Sequence, residues 1–370
     1  MVISYKYRLM VSKKGIKTLK DLARSVNFVW NFCVETQKTC KSRYLRGENQ
    51  NWLSQFSLQK LTSGTSKDLG LHGQTIQEIC REFVKGRDSH KKCPKFRSCK
   101  KSLGWVPFQE QSRRAYGNRV TYLGKTYKFF GAKRRPLPEN GVKGGCFVED
   151  SRGRWYVCFW AEATKLPTGK GQVGIDLGLK DLAVLSNGEK ITNPTIYRKL
   201  EGKLKVASRS HNKKRLKAIL AKIKNSRKDY LHKESTKLAN ANRLIVVGNV
   251  NSSNLIKGKM AKSIYDVSWY SFKRMLEYKA SRHQAIFKVV NEAFTTQTCS
   301  TCGSLPESRP KGIAGLGIRS WVCSDCGASH DRDVNAARNI LMIGLSAQPP
   351  AEESLVANRR STTFQYVTND

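Results

Sequence analysis

Two acidic positions and four cysteines carry the chemistry that can be read directly from this chain. Asp176 sits inside Gly174-Ile175-Asp176-Leu177-Gly178, and Asp333 sits inside Asp331-Arg332-Asp333-Val334-Asn335-Ala336-Ala337. Asp176 falls mid-strand between apolar neighbours, where a charge is expensive unless a cation or a partner compensates it. Gly174 and Gly178, on its side of the strand, are expected to leave room for ions and a phosphate. Asp333 opens a helix, and Asp331 suits the ordinary capping role better. Carboxylates drawn from distant segments are what two-ion phosphodiester hydrolysis needs. One ion prepares a water and the other steadies the leaving oxygen, the two lying about 3.5–4 Å apart. Mg2+ prefers such oxygen ligands. Cys299-x-x-Cys302 and Cys323-x-x-Cys326, separated by 20 residues, have the spacing of a tetrahedral Zn2+ site. With all four positions filled by protein, that zinc is expected to be structural, and His330 is surplus as a ligand. The order acid, strand Leu244–Val250, cysteine pairs, acid reads as a split, metal-dependent nuclease core. A zinc ribbon is inserted before its last acidic residue.

Composition narrows the partners. The chain has 370 residues and a formal net charge of +40, enough length for two or three domains. A compact body with that charge repels itself unless a polyanion neutralises it, and nucleic acid phosphate is the natural counterpart. An acidic membrane surface would need an amphipathic Trp/Leu-rich face, which is missing. A ribosomal or chaperone-like RNA binder accounts for the charge but not for the ordered acids. Met1–Met10 reads as a strand rather than a secretory signal, and no apolar run approaches a membrane span. The expected compartment is the cytoplasm. Eleven cysteines, four of them in the two pairs, read there as one zinc site plus free thiols.

The elements that must position these residues follow from periodicity. Leu19, Leu22, Val26, Val29 and Cys33 predict a helix, with Trp30 and Phe32 widening its stripe. The stretch Asn49–Ser66 carries little signal, and a second helix is expected over Gly73–Val84. From Lys85 to Arg135, basic residues alternate with Phe96, Trp105, Phe108, Tyr116, Tyr122, Tyr127, Phe129 and Phe130. Turns at Gly117-Asn118 and Gly124-Lys125, then strands over Val142–Ala163, predict a small twisted sheet or barrel. Rings between cations suit single-stranded RNA, or else form a core beneath a charged face. After a linker at Leu166–Gly169 come strands Gln172–Leu177 and Leu182–Ser186. Arg198–Asp229, with 13 Lys or Arg against 2 acids, predicts a basic helical hairpin turning near His211-Asn212, suited to face nucleic acid. Leu238–Val250 is a helix-to-strand unit, Ser268–His283 a helix, Ala285–Phe294 a buried strand and Val334–Ile343 a helix. Arg309, Lys311, Arg319 and Trp321 in the ribbon are candidates to touch a nucleic acid backbone. The residues beyond Ser346 read as a disordered tail.

These segments resemble the TnpB family, RNA-guided nucleases of insertion sequences related to the type V CRISPR effectors. The resemblance rests on Gly174–Gly178, Arg227-Lys-Asp-Tyr-Leu-His-Lys233, the cysteine pairs, Asp331–Ala337 and Phe28-Val-Trp-Asn-Phe32. It implies an α/β fold: an RNase H-like RuvC nuclease domain with an inserted zinc ribbon, plus an N-terminal β-barrel wedge carrying a helical recognition insertion. The implied boundaries are 1–14 and 90–167 for the wedge, 15–89 for the recognition lobe and 168–294 with 331–345 for the nuclease. They are 295–330 for the ribbon and 346–370 for the tail. The implied activity is Mg2+-dependent cleavage of double-stranded DNA matched to a guide RNA beside a short transposon-associated motif. The partners would be the guide RNA and the target DNA, with no membrane, in a prokaryotic cytoplasm at the nucleoid. A strand-transfer transposase would need a nucleophile motif that is not visible.

One position departs from the family pattern. The second catalytic acid usually ends the strand Leu244–Val250, where this chain reads Val247-Gly248-Asn249-Val250. Either the protein is a non-cleaving, RNA-guided DNA binder such as a repressor, or the acid comes from elsewhere. Glu292, ending the next strand, is the preferred replacement. In an RNase H-like sheet that strand lies two places from Asp176, about 10 Å between backbones, and a Glu reaching over a glycine spans the gap. Glu277, inside an amphipathic helix, suits a surface pair better. The expected catalytic and Mg2+-holding set is therefore Asp176, Glu292 and Asp333.

Overall fold

The computed structural model describes residues 2–48, 52–110, 113–133, 135–137, 142–250, 267–311 and 314–346. The expected tail beyond Ser346 lies outside the described residues. The chain has a mixed α/β fold in two compact units, one over Met1–Ala163 and the other beginning at Thr164. No helix among the described residues is long and apolar enough to cross a membrane.

The first unit opens with β1 (Val2–Met10), followed by α1 (Lys13–Leu45), α2 (Gln55–Leu61), α3 (Ser66–Leu69) and α4 (Gly73–His90). Strands β2 (Trp105–Gln109), β3 (Arg113–Tyr116), β4 (Arg119–Tyr122), β5 (Lys125–Phe129), β6 (Val142–Glu149) and β7 (Trp155–Glu162) complete it. They form one antiparallel sheet in the order β2-β6-β7-β1-β5-β4-β3. The Ser12 hydroxyl caps α1 by accepting from the Gly15 amide. Leu19, Val26, Val29 and Cys33 are buried as their spacing predicts, whereas Phe32 is exposed and lies off the stripe. Helix α2 arises inside the stretch that reads as featureless. Its local signal is short: Ser54 caps the Ser57 amide, and Leu58 alone is fully buried.

The alternating aromatics divide by face. Phe108, Tyr122, Tyr127 and Phe129 are core residues, while Tyr116, Phe130 and Phe96 remain exposed. Period-two geometry allows both outcomes along one strand. The rings of the second group are exposed, with Lys38 Nζ 4.1 Å from the Phe96 ring centroid.

The second unit has a five-stranded sheet in the order β10-β9-β8-β11-β12. Its members are β8 (Gly171–Leu177), β9 (Asp181–Leu185), β10 (Lys190–Thr192), β11 (Asn242–Gly248) and β12 (Ile286–Val290). β8, β11 and β12 pair parallel, β9 pairs antiparallel with β8, and β10 pairs antiparallel with β9. The helices are α5 (Ile196–Arg209), α6 (Lys213–Ala241), α7 (Trp269–Arg282) and α8 (Arg332–Ser346), with the two-stranded ribbon β13 (Ser320–Val322) and β14 (Ser329–Asp331) before the last. The basic hairpin turns where expected. His211 adopts a left-handed conformation, and Asn212 caps α6 by accepting from the Arg215 amide. β12 corrects the expectation of a long buried strand. It has five residues, and Ile286 and Val289 are exposed because it forms the sheet edge.

Each face of this sheet has its own cover. Val173, Ile175, Leu177, Ile245 and Val247 point to one core with Leu231 and Leu238 of α6 and Phe272, Leu276 and Ala280 of α7. The alternate residues meet α8. A Cβ on Gly174 would lie 2.1 Å from the Ala337 carbonyl oxygen, and one on Gly344 would lie 2.4 Å from Val246 Cγ2. Gly174 therefore does not open space for ions, as its neighbourhood suggests in sequence; the α8 backbone occupies that space. A buried lysine joins the two helices on the other face. Lys279 Nζ donates to the His232 carbonyl at 2.6 Å, Ser235 Oγ at 2.7 Å and Thr236 Oγ1 at 2.7 Å.

Gly174→Ala should lower stability by about 1–3 kcal/mol, because backbone rather than a flexible side chain must yield. A thermal melt reads the loss, and an unchanged midpoint would contradict the close α8–β8 contact.

Candidate active site and zinc centre

Residues of one strand face alternate by side, so Asp176 shares the α8 side with Gly174. Its backbone pairs with Val184 of β9. On the other flank, Val246 and Val247 of β11 pair with Gly174 and Ile175, so Gly248 comes level with Asp176 one residue later. The turn after Asp176 is fixed from α7, where Trp269 Nε1 donates to the Gly178 carbonyl at 3.1 Å. The basic motif of α6 also fixes geometry. Tyr230 Oη donates to the Thr192 carbonyl at 2.6 Å, and Leu231 is buried.

Glu292 follows the end of β12. Its Oε2 lies 2.6 Å, and its Cβ 3.4 Å, from the point where a Gly248 Cβ would be. The side chain thus fills the room that the glycine leaves beside Asp176. Oε2 is buried with no hydrogen-bond partner, an expensive arrangement for a carboxylate unless a cation completes it. Burial raises its proton affinity, and Lys273 partly offsets this. Glu277, the rival acid, is exposed and paired with Arg274 at 2.9 Å.

Asp333 stands in the first turn of α8. Its Oδ2 accepts from Arg319 Nη1 at 2.8 Å, and its Oδ1 accepts from Arg332 Nε and Nη2 at 3.2 and 3.1 Å. Asp331 performs the capping. Its Oδ1 accepts from the Asp333 and Val334 amides, and its Oδ2 from Lys190 Nζ at 2.8 Å. Asn335 and Asn339, one turn apart, both donate to the Thr295 and Thr298 carbonyls, and Asn335 Oδ1 accepts from the Ser300 amide. The motif Asp331–Ala337 therefore caps the helix, ties it to the ribbon and packs it on β8. Arg332 adjoins Asp333 in the chain, but the pairing of Arg319 with Asp333 is legible only in space.

Asp176 feels the other two acids. The Asp176 carboxyl is pushed up to about 7, first by desolvation, then by the charges of Asp333 and Glu292, with Arg332 opposing. A desolvated carboxylate beside two others and an unpartnered buried oxygen form a donor set that fits hard divalent cations.

The zinc centre is more compact. The sulfurs of Cys299, Cys302, Cys323 and Cys326 all lie within 4.8 Å of one another, and no comparable grouping includes the three carboxylates among the described residues. Cys299 and Cys326 Sγ are 3.7 Å apart, and Cys302 and Cys323 Sγ 3.8 Å. A tetrahedron with Zn–S bonds of about 2.3 Å has edges of about 3.8 Å, so the thiols fit zinc. His330 is buried, its Nε2 3.1 Å from Cys299 Sγ and its ring 4.8 Å from Trp321. It is placed to donate to a thiolate. Trp321, a candidate for backbone contact in sequence, is buried against the cysteines and is not available for it.

A protein from Streptomyces pristinaespiralis named "Putative RNA-guided DNA endonuclease" is 36% identical over 374 residues, covering 93% of this chain and 90% of that relative. The chain belongs to the TnpB family. A TnpB-like protein of Acanthamoeba polyphaga mimivirus is 30% identical over 53% of this chain and 42% of its own length. Family models described as "Probable transposase" and "Cas12f1-like, TNB domain" match residues 148–259 and 269–340. The fold resembles the solved Cas12f1–sgRNA–target DNA complex at a TM-score of 0.56 and 13% identity, over 89% of this chain and 83% of that one. The Cas12f1-like, TNB domain match spans α7, the ribbon and most of α8, a stretch that includes Glu292, the cysteines and Asp333.

Two outcomes follow from the charges. Asp176 binds its proton more tightly folded than unfolded, where a carboxyl titrates near 3.8. Between about pH 4 and about pH 7 the folded chain thus holds more protons, and its stability falls as pH rises. Each tenfold change in proton affinity corresponds to about 1.4 kcal/mol. Metal-free Asp176→Asn should melt higher than the parent above pH 7, with the gap closing toward pH 4 and shrinking when millimolar Mg2+ is added. A gap independent of pH and Mg2+ would refute the crowded-carboxylate account. Second, chelating zinc should expose the 299–326 segment to protease while β8–β12 stay protected. Equal resistance before and after chelation would show that the ion does not hold the ribbon.

Proposed function

We propose that this chain is an RNA-guided DNA endonuclease that hydrolyses phosphodiesters of guide-matched double-stranded DNA beside a short transposon-associated motif. The observation that carries this reading is the Glu292 carboxylate lying over Gly248 on the Asp176 side of the sheet. It supplies an acid where the β11 terminus lacks one. Asp176, Glu292 and Asp333 would hold two Mg2+ ions, which when bound supply an activated water and a stabilised leaving oxygen. The second unit then acts as an RNase H-like RuvC domain, with residues 168–294 and 331–345 as its core and 295–330 as the zinc ribbon. Residues 1–14 and 90–167 form the wedge, and 15–89 the recognition lobe.

The remaining residues have matching tasks in this reading. The exposed Lys and Arg of α5 and α6 face phosphates of guide or target, an attraction that weakens with salt. The exposed rings of Tyr116, Phe130 and Phe96 stack on unpaired bases. Sequence is read by base pairing with the guide, while protein reads duplex shape and the flanking motif. The likeness to the TnpB-like relatives and to the Cas12f1 fold supports this assignment.

A non-cleaving, RNA-guided binder is the second reading, favoured by the missing acid at the end of β11. A guide-matched plasmid separates the two. The parent with Mg2+ should linearise it, and Asp176→Ala, Glu292→Ala and Asp333→Ala should each lose activity on the order of 100-fold or more while still binding. Full activity in Glu292→Ala would remove that residue from the site. Binding without cleavage by the parent would establish the second reading.

A further inference from the structure

Asp333 differs from the other two acids in having no oxygen to spare. Arg319 holds Oδ2 and Arg332 holds Oδ1, all contacts lying between 2.8 and 3.2 Å. The two arginines are unlike in exposure. The Arg332 side chain is only 13% exposed, and its Nη1 also donates to the Gly315 carbonyl at 3.3 Å. The Arg319 side chain is 52% exposed and sits in the segment just before β13, so it can turn outward without opening a hole. The four thiols already have the spacing of an ion, but the three carboxylates do not converge to that degree.

We propose that Arg319 is a latch: it occupies Asp333 in the nucleic-acid-free chain and is drawn away by a phosphodiester, which frees Oδ2 for a divalent cation. The proposal rests on the assignment of Asp333 as a metal ligand made above. Its physical basis is competition between cations for one carboxylate. A guanidinium pairs with phosphate through the same planar fork that it offers a carboxylate. Phosphate of a strand lying along the ribbon therefore exchanges one anionic partner for another, with the charge of Arg319 paired throughout. Asp333 keeps Arg332 on Oδ1 but has Oδ2 open beside two further carboxylates, and a metal ion there relieves the remaining repulsion. Nucleic acid and metal then bind with positive coupling, and each raises the affinity of the other by the same factor. The free chain is kept from assembling a hydrolytic centre before a strand is present.

Mn2+ binding to the full-length chain, followed by electron paramagnetic resonance of the free ion, tests this without relying on cleavage. Arg319→Gln should bind Mn2+ about 5-fold or more tightly than the parent in the absence of nucleic acid. Arg274→Gln, which removes the same charge from an exposed pair with Glu277 on α7, controls for net charge and should match the parent. A single-stranded oligodeoxynucleotide should tighten Mn2+ binding by the parent but add little in Arg319→Gln. The same sequence with uncharged methylphosphonate linkages should have no effect on either. Melting curves of the variants establish that they are folded. If Asp333→Asn loses Mn2+ affinity but Arg319→Gln binds no more tightly than Arg274→Gln, the latch is wrong and the metal site stands. If Asp333→Asn binds Mn2+ as the parent does, the ligand assignment fails and the latch falls with it.

Discussion

A helix pressed backbone-first onto a sheet holds the rest of this molecule's chemistry in place. Helix α8 approaches β8 and β11 so closely that neither Gly174 nor Gly344 has room for a Cβ. That contact brings the N-terminus of α8, and with it Asp333, to the side of the sheet where Asp176 emerges. It also anchors the ribbon, because Asn335 and Asn339 grip the Thr295–Thr298 segment from the same helix. Loosening this one interface would scatter the acids and detach the cysteines together.

The price of such proximity is electrostatic. Carboxylates pushed together in a partly dry site oppose folding, and the raised proton affinity of Asp176 expresses that opposition. The structure answers it differently at each acid. Asp176 leans toward its protonated form, Asp333 takes two guanidinium groups, and Glu292 keeps a buried oxygen without a partner. The protonation-prone Asp176 and the unpartnered Glu292 oxygen are states that a divalent cation would improve, whereas Asp333 is already paired.

Glycine has two opposite uses in this site. At Gly174 the absent side chain admits a helix backbone; at Gly248 it admits another residue's carboxylate. In the proposed site, a Glu reaching across a strand spacing of about 4.8 Å would take the place of one rooted on β11.

Much was legible in the residues themselves. Period-3.6 burial announced α1, α4 and α7, the asymmetric charge announced the α5–α6 hairpin with its turn at His211-Asn212, and the two Cys-x-x-Cys knuckles announced the ribbon. Each is a local pattern, stated within a few consecutive turns of chain. Helix α2 was hidden because one buried leucine makes no stripe, and β12 was drawn too long because an edge strand can carry apolar residues that it does not bury. Family resemblance directed attention to Glu292, but its standing over Gly248 depends on strand order and register, which sequence does not state. The pairing of Arg319 with Asp333 and the burial of Trp321 were decided by how the ribbon folds back on itself and on α8. Sequence sets which groups exist and what their neighbours along the chain favour. Only the folded structure sets which charges share a pocket, because Coulomb energy depends on distance through space.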